Sequence, residues 1–70
     1  MNKTPLAALR RAITRAGTAT RLAEQLGISS QAIGKWQRTG IPPLRVLDVE
    51  RLTGVRRHDL RPDIYPRGKT

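Results

Sequence analysis

Apolar residues recur along this chain at helical spacing, and each stripe they form is cut off at a glycine. Leu6, Leu9, Ala12, Ile13 and Ala16 fall on one stripe, with Arg10, Arg11, Thr14 and Arg15 on the other side. Thr4 and Pro5 read as a helix start, a hydroxyl cap followed by proline at the first helical position, and Gly17 ends the segment. Thr18 can cap a second helix, whose inward residues are Leu22, Ala23 and Leu26 before Gly27 stops it. Ser29 can cap a third, running through the inward positions Ala32, Ile33 and Trp36 towards Gly40.

The "GIPP" of residues 40–43 is a rigid break, because consecutive prolines cannot continue a helix. The following "LRVLDVERLTG" is ambiguous, but a strand would put Asp48 on the apolar face. Pro43 can begin a helix, Gly54 can end one, and Val46, Val49 and Leu52 recur every third residue, so a fourth helix is expected with those three sharing a face. The closing "RRHDLRPDIYPRGKT" has room for one helical turn near His58–Arg61 before Pro62, then an extended tail. The expected fold is all-α, four to five short helices with an extended C-terminal tail. Residues 1–66 form one domain and 67–70 a flexible end.

The glycine inside "LAEQLGISSQAIGKWQ" has a mechanical explanation. Two short helices crossing steeply need a tight turn, and the residue leaving the first must take a left-handed backbone conformation that glycine adopts without penalty. Close crossing also needs a small residue, which Ala23 supplies, while Ile28 and Ile33 fill the angle. Leu22, Ala23, Leu26, Gly27, Ile28, Ile33 and Trp36 together form a helix-turn-helix signature.

Charge gives this corner a partner class. The 70 residues hold 14 Lys and Arg against 5 Asp and Glu, a net +9, which draws the chain to polyanions. Residues 1–40 carry seven cations against the single Glu24, a balance of +6, whereas residues 41–70 carry seven against four, a balance of +3. A nucleic acid should therefore face the N-terminal half. There is no cysteine, hence no disulfide framework or cysteine zinc site. The start "MNKTPLAALRRAITRAG" sets two arginines where a signal peptide needs an apolar run, and no stretch approaches transmembrane length. A soluble protein without membrane contact is expected.

The stretch "TATRLAEQLGISSQAIGKWQRTGIPPLRVLDVERLTGVRRHDLRPDIYP", Thr18 to Pro66, resembles the small Cro-type repressors of temperate phages and prophages and the related YdaS-like helix-turn-helix proteins. The corner is common to many regulators, but "GIPP" followed by "VERLTG" and "LRPDIYP" is narrower to this group. Arg56 departs from the pattern, standing where a small hydroxyl residue more often caps the last helical turn. The resemblance implies a transcriptional repressor that binds double-stranded operator DNA as a homodimer, in the cytoplasm of a bacterial host at its nucleoid. An antitoxin-like protein, which binds a partner protein and autoregulates through DNA, is the alternative. A non-specific basic binder of RNA or DNA is a third reading.

Helix-turn-helix geometry assigns the residues. The recognition helix enters the major groove by its N-terminal end, so Ser30, Gln31, Gly34 and Lys35 are the candidates to face base edges. Gln31 can pair bidentately with adenine, and Lys35, one turn on, can reach guanine acceptors or a phosphate. Gly34 lets the helix approach closely, although a glycine there costs about 1 kcal/mol against alanine. Thr18, Thr20, Arg21, Ser29 and Arg38 are the phosphate candidates. Trp36 belongs to the core rather than to a base stack, and Tyr65 is expected to fold its ring back on the helices. His58 beside Asp59 lacks a second ligand or a nucleophile, so neither a metal site nor catalysis is expected. No cofactor or small-molecule substrate is implied.

Overall fold

The computed structural model describes residues 4–66. The tail expected at 67–70 lies outside them. Five helices follow one another, α1 (Pro5–Ala16), α2 (Ala19–Leu26), α3 (Ser30–Thr39), α4 (Pro43–Thr53) and α5 (Arg57–Leu60), with no strand among the described residues. The all-α class read from the periodicity is the observed one.

The hydroxyl caps are built as the spacing predicts. Thr4, Thr18 and Ser29 sit in extended backbone, and their side-chain oxygens accept from the N–H groups of Ala7 (3.1 Å), Arg21 (3.1 Å) and Ala32 (3.3 Å). Each bond satisfies a donor that the helix leaves without an internal acceptor. The caps fix where α1, α2 and α3 begin, and the apolar stripes fix which face turns in.

α1 is the spine, packed against α2, α4 and α5, while α3 packs on α2. Ala8, Leu9 and Ala12 of α1 meet Leu22, Ala23, Ile33 and Trp36 of the corner, and Val46, Val49 and Leu60 close the other side. Ile41, between the break and α4, and Val55, between α4 and α5, complete the core. Leu6, on the apolar stripe of α1, is 37% exposed. It stands at the mouth of a cleft between the start of α1, the end of α3 and residues 61–63, which leaves its outer side in water.

The phase of α4 differs from the expectation. Val46 and Val49 are buried, but Leu52 is 45% exposed and Thr53, 5% exposed, takes the third inward position. At 3.6 residues per turn, the position that follows 46 and 49 on one face is 53 rather than 52. Threonine is tolerated there because its hydroxyl donates to the Val49 carbonyl (2.7 Å) and accepts from the Val55 N–H (3.2 Å). No buried side-chain polar atom among the described residues lacks a partner.

Arg56 precedes α5 and makes no side-chain cap. In place of a local hydroxyl cap, a carboxylate is supplied from a distance: Glu50 of α4 accepts from the Arg57 N–H (2.9 Å) and from its Nε (3.0 Å). A carboxylate at the start of a helix does the work of a cap, and the same contact ties α5 to α4. Beyond α5 the chain turns instead of running extended. The N–H groups of Ile64 and Tyr65 both donate to the Arg61 carbonyl, and the Tyr65 ring packs back against the core with the Arg57 guanidinium 5.6 Å from its centre.

Candidate nucleic-acid interface

The corner between α2 and α3 is made by hydrogen bonds that only one backbone geometry allows. Gly27 stands at φ 73° and ψ 31°, its N–H donates to the Glu24 carbonyl (3.2 Å), and the Ile28 N–H reaches the Ala23 carbonyl (2.9 Å). This pair of bonds is the Schellman closure, which satisfies the last carbonyls of α2 while reversing the chain. Arg45 of α4 adds a guanidinium donor to the Leu26 carbonyl (3.4 Å), a favourable charge at a helix C-terminus. Ile28 then packs against the core and Ser29 starts α3 at once.

With Ile33 and Trp36 buried, α3 is held by one side, and the opposite side is open. Ser30, Gln31, Lys35 and Arg38 are exposed there and Gly34 is partly exposed, so the five candidates on this helix share one outward surface. Ala32, expected inward, lies at the margin and is half-buried. The phosphate candidates outside α3 gather at the starts of helices. Thr18, Thr20, Arg21 and Ser29 are all exposed. The cap bonds use the lone pairs of Thr18 and Ser29 and leave their hydroxyl hydrogens free to donate. Ala19 and Thr20 precede the first bonded amides of α2, Arg21 to the Thr18 hydroxyl (3.1 Å) and Leu22 to the Thr18 carbonyl (3.0 Å), so their N–H groups have no acceptor within the helix. The Arg21 stem lies across Gly17, where a Cβ would stand 3.1 Å from its Cδ. The missing side chain thus gives this arginine its track.

Ion pairs divide the cations into two sets. Arg11 is bound to Asp59 (3.2 Å), Arg51 to Asp48 (2.6 Å), Arg57 to Glu50 (2.9 Å) and Arg61 to Asp63 (2.7 Å), while Arg45 lies 3.9 Å from Asp48. Arg15 donates to the Thr53 carbonyl (3.3 Å) and Arg61 also to that of Ile41. These side chains knit the C-terminal half and fasten α1 to it. Among the described residues, Arg10, Arg21, Lys35, Arg38 and Arg56 make neither an ion pair nor a side-chain hydrogen bond, and four of these five precede Gly40. The charge excess of the first half is therefore also the uncommitted charge. Arg10 was not singled out by its sequence position. Its freedom becomes visible only when its neighbour Arg11 is seen to take Asp59.

The Asp59 carboxylate accepts from Arg11 Nη2 (3.2 Å). Among the described residues, no helix is long and apolar enough to cross a membrane.

Residues 9–68 match the family model described as Bacterial toxin YdaS. The chain belongs to this family. No curated protein and no solved structure matches it. The YdaS match takes in the last two thirds of α1 together with α2 to α5, so it covers both the corner and the helices that support it.

Proposed function

We propose that this YdaS-family chain is a transcriptional repressor of Cro type, which binds double-stranded operator DNA sequence-specifically through α2 and α3. The observation that carries the reading is the partition of charge. The cations that the fold leaves unpaired lie mostly in the half of the chain that contains the helix-turn-helix, whose α3 bears Gln31 and Lys35 on its exposed side. Arg21, Arg38, Thr18, Thr20 and Ser29 hold phosphates and set the register, while Ser30, Gln31, Gly34 and Lys35 meet base edges. Such a role needs no cofactor, metal or catalysis, and places the protein in the bacterial cytoplasm at the nucleoid.

One recognition helix reads too few base pairs for useful specificity, so two copies related by a two-fold axis bind half-sites about one helical turn apart. The outer face of α4, with Leu44 90% exposed and Leu47 beside it, offers an apolar surface for the second subunit. Selection of bound duplexes from a random DNA pool at near-physiological salt tests the function. Recovery of a two-fold motif with two chains per duplex by mass is expected, and a pool that stays random overturns the reading. The same leucines favour one other reading, in which α4 docks a partner protein and DNA binding serves autoregulation. A stable complex with the product of an adjacent reading frame, formed without DNA, would favour it.

A further inference from the structure

Gly34 stands in the middle of α3, and nothing lies within 4 Å of the point where a Cβ would begin. Its φ is not positive, so the backbone makes no demand for glycine either. The fold has room for alanine here and would gain helix propensity from it. A glycine that the chain does not need for itself, on the outward face of a recognition helix, points to something outside the chain that comes close.

The chemistry of that approach is restricted. The N–H and C=O of Gly34 belong to the helical ladder, so the residue has no polar group to spend on a base. It offers a bare Cα and the space of a missing side chain. The apolar group that projects into the major groove is the thymine C5-methyl. We infer that Gly34 reads a thymine: the methyl occupies the volume a Cβ would fill, and α3 thereby sits deep enough for the Gln31 amide, one turn earlier on the same face, to reach its own base. This rests on the DNA-binding reading and names a base within its site.

The probes are the duplex recovered by the selection and a scrambled duplex of equal composition. Gly34→Ala is expected to raise the Tm by about 4–8 °C and to weaken the selected duplex roughly tenfold, with the scrambled duplex changed less than about twofold. Replacing single thymines of each half-site by deoxyuridine removes only the methyl. At the position facing Gly34, that exchange should weaken the unmodified protein and restore most of the affinity that Gly34→Ala lost. A lower Tm for Gly34→Ala overturns the inference, since the fold would then need the glycine. Equal weakening on both duplexes, or no deoxyuridine position that rescues, overturns it as well and leaves the DNA-binding reading standing. If the unmodified protein binds the two duplexes alike, that reading fails before any variant is compared, and the inference fails with it.

Discussion

At Gly27 the backbone is left-handed, and no atom lies within 4 Å of where a side chain would begin. The need for glycine there is thus conformational alone, unlike at a crowded helix crossing. Gly27→Val is expected to cost more than about 1 kcal/mol, because a β-branched residue is forced into positive φ. Gly27→Asn, with the same open space and a side chain that tolerates this conformation, should cost less. Thermal melts of the two variants check the ordering, and an unchanged melt for Gly27→Val would remove the tight-turn assignment. This residue was legible in the sequence because everything that determines it lies within six positions. Ala23 supplies both the close crossing and the carbonyl that closes the turn, and Ile28 supplies the matching N–H. The outward set on α3 was legible for the same reason, since the burial of Ile33 and Trp36 dictates what remains outside.

Between elements, local reasoning weakens. Leu52 was read as inward because it continues a count of three, yet the helix continues at 3.6 and brings Thr53 in. A polar residue at a buried position is not a signal that composition gives; its fitness depends on the Val49 carbonyl and the Val55 N–H being in place. Leu52→Ala should therefore change stability by less than about 0.5 kcal/mol, whereas Val49→Ala should cost about 2 kcal/mol. Chemical denaturation of both variants distinguishes the two phases of α4. The joint between α4 and α5 was also hidden, because its cap comes from seven residues upstream. The Arg57 N–H, and after it the Arg57 guanidinium, hold the Glu50 carboxyl below the usual carboxylate range. A lowered folded value means that the stabilisation is fully present above about pH 4.5, the ordinary value of an unfolded glutamate, and is lost as pH falls through the folded value. Asp63, held at about 2 chiefly by its hydrogen bonds from Arg61, adds a loss in the same direction at lower pH. Glu50→Gln should melt lower than the unmodified protein at neutral pH and lose less as the pH falls below about 4.5. Parallel acid profiles for the two proteins would show that the carboxylate does not hold this joint.

For the molecule as a whole, the sequence told where charge is in excess but not which charges are available. Arg11 and Asp59 are 48 positions apart, and Arg15 reaches Thr53 across 38, so no spacing rule could have removed these arginines from the list of contacts. Packing engages them and leaves Arg21 and Arg38, both exposed, with no acid to hold them. This separates two kinds of variant. If α3 reads DNA as proposed, Gln31→Ala should cost about 1–3 kcal/mol per half-site on the selected operator and relax preference at one base pair. On the same reading Arg21, outside α3, meets phosphate, so Arg21→Ala should weaken selected and scrambled DNA nearly equally and make the salt dependence shallower, because each lost phosphate contact releases about one fewer counterion. Arg11→Ala is the control the structure adds. Its guanidinium is engaged with Asp59, and its loss should leave the salt slope nearly unchanged. Affinities for both duplexes across a salt series resolve the three cases, since affinity at a single concentration mixes specificity with charge. If Gln31→Ala weakens both duplexes equally, the base-reading role is wrong. If Arg11→Ala flattens the slope as much as Arg21→Ala does, the division of cations into structural and available sets does not survive on DNA.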